Sequence, residues 1–144
     1  DCMQKQKTKD LEDILKKASA LDKDRILKEI RDVSFVDYIN EIMLEKNLEK
    51  SDIIRDAQIP RTYAYQIFQG SKQAGRDKIL QLSIAMKLNL EETNRLLTVA
   101  HHNHLYAKQQ RDAILIFGIS KQYSLMEINE LLDEFHHELL GDFR

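Results

Sequence analysis

The stretch RDKILQLSIAMKLNLEETNRLL, Arg76 to Leu97, aligns without a gap on RDAILIFGISKQYSLMEINELL, Arg111 to Leu132. Ten of these 22 positions are identical at an offset of 35 residues. Apolar residues recur at helical spacing on either side of a short break, so each copy reads as two helices and a turn. Two unrelated amphipathic pairs would share apolar positions by chance, but the Arg-Asp starts (Arg76-Asp77, Arg111-Asp112) and the matched Asn94 and Asn129 are not core residues. A repeated helical hairpin is the reading that accounts for them. The expectation is two superposable hairpins, with the apolar run Ala113 to Ile119 buried nearly all round.

The remainder of the chain points the same way. Only 4 Gly and 1 Pro among 144 residues leave little material for the tight turns of a sheet-rich fold, and 42% hydrophobic residues suffice for a core. The fold class expected is all-α. Residues 1–9 read as a polar, frayed tail. Leu11, Ile14, Leu15 and Ala18 mark a first amphipathic helix, and Ile26, Leu27 and Ile30 a second, with Asp22 as its cap. Phe35, Tyr38, Ile39, Ile42 and Met43 mark a helix ending near Asn47. Further helices are predicted over 51–58, 61–69, 76–87, 90–100, 108–122 and 125–140. Three parts follow: an N-terminal helical arm (1–33), a central domain (34–104) and a C-terminal hairpin packed on it (105–144). The arm carries nine positive and eight negative residues in 1–32, a balance suited to a protein contact, on the C-terminal repeat or across a dimer.

The segment SDIIRDAQIPRTYAYQIFQG, Ser51 to Gly70, holds two short helical patterns around Pro60. Pro60 biases Ile59 away from the helical region, and Gly70 ends the second pattern. Ile53, Ile54 and Ala57 share one face of the first helix, and Ala64, Ile67 and Phe68 one face of the second. Arg61, Thr62, Tyr63, Tyr65 and Gln66 are left pointing outward. Net charge is −2, but its distribution is uneven: residues 57–88 carry +4, between −3 over 35–49 and −4 over 89–144. A basic centre between acidic flanks orients an anionic partner. Ordinary solvated faces would give the same counts.

Leu48 to Gly70 resembles the helix-turn-helix of Cro/CI-type repressors, the XRE family, and matches it in length without a gap. Phe35–Asn47 stands for that family's first helix and Arg76–Ala100 for its fourth and fifth. A closer resemblance is to a divergent bacterial group with RTYGYQIF-G, an Arg-Asp helix start and an LY…RDAIIIFAL tail, here RTYAYQIFQG, GRDKIL and HLYAKQQRDAILIFGI. The resemblance implies a five-helix repressor-like domain whose second motif helix enters the major groove of double-stranded DNA. Its base readers would be Arg61, Thr62, Tyr63 and Gln66, with Tyr65 nearby, and its phosphate contacts Lys50, Lys72 and Arg76. Arg suits guanine and Gln adenine, whereas Thr and Tyr reach bases or phosphates. Packing of either tyrosine on its own domain is the alternative use of those rings. The chain departs from the family pattern in three places. Ile54 and Ala64 exchange the usual small and large residues, Gln58 replaces a turn glycine, and Pro60 replaces a capping Ser or Thr.

Other chemistry is thinly represented. His101, His102, His104, His136 and His137 lack a fixed helical spacing and a companion Cys, so no metal or other cofactor is expected. No phosphate loop, nucleophile elbow or paired catalytic carboxylates appear, so no enzyme is expected. Asp37, Glu41 and Glu45 line one face of a helix that would repel DNA and invite a basic protein surface. The apolar run Ala113–Ile119 is too short to span a bilayer, no secretory pattern opens the sequence, and lone Cys2 forms no internal disulfide. These features fit a cytoplasmic, membrane-free protein, and the resemblance implies a regulator acting as a homodimer, since such half-sites are read in pairs. The alternative is an interaction adaptor that keeps the fold, with a protein partner on the C-terminal hairpin or the acidic stripe.

Overall fold

The computed structural model describes residues 8–141, all of whose regular elements are α-helices. The chain is all-α. It divides into two units with the boundary between Val33 and Ser34.

The first unit holds α1 (Thr8–Lys17) and α2 (Lys23–Glu29). Thr8 and Lys9, expected in a frayed tail, belong to α1; residues 1–7 of that tail, with Cys2, lie outside the described residues. Ile26 is the buried residue of this pair, while Leu21 and Leu27 are exposed. Asp22 precedes α2 but does not cap it with its side chain, because its backbone is already helical (φ −90°, ψ −9°). Its carboxylate instead accepts from Ser19 Oγ at 3.1 Å and pairs with Arg25.

The second unit runs α3 (Phe35–Lys46), α4 (Lys50–Ala57), α5 (Arg61–Gln69), α6 (Arg76–Ala85), α7 (Leu90–Val99), α8 (Gln110–Ser120) and α9 (Leu125–Glu134). Local chemistry sets the ends. Ser34 Oγ accepts from Asp37 N–H at the start of α3, and Asn47 closes it in the left-handed region. Asn89 with Glu92, and Ser124 with Glu127, form reciprocal capping boxes on α7 and α9. α6 is the centre. Six successive residues, Ile79 to Ile84, are buried, with α4, α7 and α9 packed around the helix.

The two hairpins, α6–α7 and α8–α9, correspond well beyond the limits of the sequence match. Lys87 and Gln122 both take positive φ in the turns, as do His101 and His136 after the second helices. Asn94 Oδ1 accepts from Leu105 N–H, and Asn129 Oδ1 from Leu140 N–H. The correspondence therefore covers Arg76–Leu105 and Arg111–Leu140. It also explains why α9 stops at Glu134 rather than running to residue 140: the chain turns at His136 and comes back so that Leu140 meets Asn129 in both directions.

Between the hairpins the contacts exchange in pairs. Arg76 Nη1 and Nη2 donate to Asp112 Oδ1 and Oδ2 at 3.1 and 2.9 Å, while Arg111 donates to both oxygens of Asp77 at 3.1 Å. Each guanidinium also reaches carbonyls of its own hairpin: Asn103 and His104 for Arg76, Glu138 for Arg111. At the far end Lys87 Nζ donates to Gln122 O, and Gln122 Nε2 to Lys87 O. α9 packs on α6 as α7 packs on α8. Reciprocal exchange of this kind is what an approximate two-fold axis between the hairpins produces, with α6 and α8 running in the same direction.

The symmetry fails where α4 lies on α6. α8 buries Asp112, Leu115, Gly118 and Ile119, but Phe117 is 50% exposed and rests edge-on against Tyr123. The expected all-round burial of Ala113–Ile119 is thus corrected: among the described residues of this unit no helix packs on α8 as α4 packs on α6, and the more polar α6 is the surrounded helix. Small residues let each hairpin close. A Cβ on Gly118 would come 2.6 Å from Ile128 Cγ1, whereas the matching pair is the buried Ser83 and Thr93.

The two ion pairs differ in burial, and that sets their expected worth. The Asp112 side chain is 4% exposed and that of Asp77 42%. Asp112→Ala strands a guanidinium and the Tyr106 N–H, so a loss of about 3 kcal/mol is expected, against less than about 1 kcal/mol for Asp77→Ala. Burial alone pushes the Asp112 carboxyl up, but the Arg76 hydrogen bond, the Tyr106 N–H and the charges of Arg76 and Arg111 together bring it below its ordinary value. A depressed folded-state pKa gives stability that is complete above about pH 5 and lost as pH falls below about 4. Denaturant titrations from pH 6 to 3 should show this slope in the wild type and a shallower one in Asp112→Asn.

Candidate nucleic-acid interface

The outward residues of α5 are held in place by an inward set. Ile53, Ile54 and Ala57 of α4, Ile59 of the turn, and Ala64, Ile67 and Phe68 of α5 are all buried in one core. Ile54 and Ala64 both fit there, as a volume exchange between the two helices requires. Gln58 ends α4 in the left-handed region (φ 55°, ψ 42°), its N–H donating to Arg55 O. The turn therefore keeps the conformation that glycine would adopt most easily. Pro60 (φ −53°, ψ 134°) sets the entry into α5, and its carbonyl accepts from Ala64 N–H. Gly70 terminates α5 at φ 83°, where a Cβ would also stand 2.9 Å from Val36 Cγ2. Glycine is required there on both counts.

The expected base readers fall into two groups. Arg61 and Thr62 are exposed, with the Arg61 guanidinium 5.7 Å from the centre of the Tyr65 ring. Tyr63, Tyr65 and Gln66 are half-buried, and both tyrosine rings pack partly against the core. The first turn of α5 has no acidic residue and no side-chain cap, so its free N–H groups and dipole favour an anion alongside Arg61.

The expected phosphate contacts also separate. Lys72 is exposed on the loop after Gly70, its N–H donating to Gln66 O. Lys50 opens α4 half-buried, Nζ lying 5.6 Å above Phe68. Arg76 is engaged inside the protein, donating to Asp112 and to the carbonyls of Asn103 and His104. A phosphate would have to compete with a nearly buried carboxylate for it, so Arg76 reads as a structural residue.

Three of the five histidines have side-chain hydrogen-bond partners. His102 Nε2 lies 2.8 Å from Ala74 O, His104 bonds Thr98 Oγ1, and His137 Nε2 lies 2.8 Å from Gln110 Oε1. Asp37, Glu41 and Glu45 are exposed on α3. No described helix is long and apolar enough to cross a membrane. One residue next to the site was not singled out from sequence: Gln81, fully buried on α6, donates from Nε2 to Ala57 O at 2.9 Å. The available signal was a glutamine inside the apolar run ILQLSIA, matched by Ile116 in the second copy.

No protein-family model, curated protein or solved structure matches the chain.

The two left-handed positions give opposite expectations. Gly70→Ala should cost about 1–3 kcal/mol through backbone strain and the Val36 contact. Gln58→Gly should raise stability by up to about 1 kcal/mol, as relief of the left-handed penalty outweighs added chain entropy. Equilibrium urea unfolding checks both signs.

Proposed function

We propose that this chain is a sequence-specific DNA-binding transcription regulator of the XRE, Cro/CI-type class, with α4 and α5 as its helix-turn-helix. In this reading α5 lies in the major groove, Arg61, Thr62 and Gln66 reach base edges, and Lys50 and Lys72 neutralise phosphates. The observation that carries it is the α4–turn–α5 geometry. Two short helices share a core, and the second presents Arg61 and Thr62 from an uncapped first turn free of acidic residues. Exposed Arg61 and Lys72 supply positive charge on α5 and on the loop after it, whereas Arg76 and Lys87 of the same basic stretch are taken up within the hairpins. Tyr63 and Tyr65 brace the helix on the core and offer their hydroxyl ends to the backbone of the duplex. The regulator acts without catalysis or cofactor, as a homodimer, in the bacterial cytoplasm.

A second reading, the interaction adaptor, draws on half-exposed Phe117 in the C-terminal hairpin and on the acidic face of α3. Phosphate-directed residues would then be idle.

Selection from a randomised duplex library should recover a preferred sequence. Against it, Arg61→Ala and Gln66→Ala should each lose about 1–3 kcal/mol and relax preference at particular positions. Lys72→Ala should weaken all sequences alike and lower the salt slope by about one. No preferred sequence, together with no binding to any duplex at low salt, would favour the adaptor.

A further inference from the structure

The buried amide of Gln81 marks a device for aiming α5. α4 ends at Ala57, whose carbonyl is among those at the C-terminus that no intrahelical N–H can satisfy. The next residue, Gln58, leaves the helix in the left-handed region, so the direction of the chain into α5 depends on how this one end is held. Ala57 is itself fully buried, which keeps water from its carbonyl. Gln81, on the central helix, supplies the missing donor at 2.9 Å, and Lys78 Nζ approaches its Oε1 at 3.4 Å.

The repeat shows what this position needs when no such helix end is present. Its counterpart in the second hairpin is Ile116, on the helix that has no packed equivalent of α4 among the described residues of this unit. An aliphatic residue therefore satisfies the hairpin architecture on its own, and the amide at 81 answers to α4. We infer that Gln81 is a positioning residue for DNA recognition, fixing the α4–α5 turn through the Ala57 carbonyl so that Arg61, Thr62 and Gln66 meet the bases in register. It touches no DNA. This rests on the helix-turn-helix reading proposed above.

Gln81→Met keeps the volume of the side chain and removes the donor; Gln81→Asn keeps an amide but withdraws it. Both full-length variants are compared with the wild type in two measurements. The first is affinity for the duplex that the wild type selects from a randomised library and for a scrambled duplex, well below the unfolding temperature. The second is amide hydrogen exchange with no DNA present. The selected-to-scrambled affinity ratio should fall about tenfold, with scrambled binding within twofold of wild type, and exchange should accelerate at Gln58 and Ala64, whose N–H groups bond Arg55 O and Pro60 O on either side of the turn. A lowered unfolding midpoint with an unchanged ratio and unchanged exchange at those amides would overturn the inference. So would an equal loss on both duplexes. A variant that does not fold leaves the other to decide. If the wild type itself prefers no duplex, the DNA reading fails; accelerated exchange at the turn then supports, and unchanged exchange rejects, the positioning of α5 by Gln81.

Discussion

The reciprocal pairing of Arg76 with Asp112 and Arg111 with Asp77 is the constraint on which the larger unit depends. Each arginine binds its carboxylate through two nitrogens and the carbonyls of its own hairpin through the same planar group, a geometry that lysine does not provide. The pairs lock the first turns of α6 and α8 side by side, and Lys87 with Gln122 does the same at their ends. α6 is thereby held at both ends, and its buried middle, Ile79 to Ile84, is held by the core. α4, and through it α5, is built on that helix.

A nearly symmetric scaffold carries an asymmetric addition. The hairpins repeat turn conformations, capping boxes, asparagine clasps and ion pairs, yet only the first receives α3, α4 and α5. The departures from symmetry follow this division. Leu82 is fully buried where Phe117 is half exposed, Gln81 bonds a helix end where Ile116 has none, and Ser83 with Thr93 stands where Gly118 with Ile128 does. A free guanidinium at Arg76 would add to the positive surface near Lys72, but the scaffold holds it. Positive charge at the proposed interface thus rests on Arg61, Lys72 and Lys50.

Much of this was legible in the sequence. Helical periodicity located every described helix, and Pro60 and Gly70 marked the bounds of α5 because each acts through its own backbone. The internal repeat predicted the paired hairpins. It understated them, because His101-His102 and Leu105 recur as His136-His137 and Leu140 beyond the aligned stretch. Extending the match would have ended α9 at its observed place. Burial was harder to read. Hydropathy favoured α8 as the surrounded helix, whereas the neighbours that surround α6 come from elsewhere in the chain. The partner of Arg76 was equally hidden, since Asp112 is distant in sequence, and an arginine in a basic stretch reads the same whether it faces a carboxylate or a phosphate.

The central claim is that α5 is the surface that meets DNA, and amide chemical shifts during titration with the selected duplex test it most directly. The account predicts that the shifts concentrate at Lys50, at Arg61 to Gln66 and at Lys72, and leave the exposed faces of α3 and α8 unmoved. Shifts confined to Asp37, Glu41 and Glu45 or to the surroundings of Phe117, with α5 silent, would contradict it.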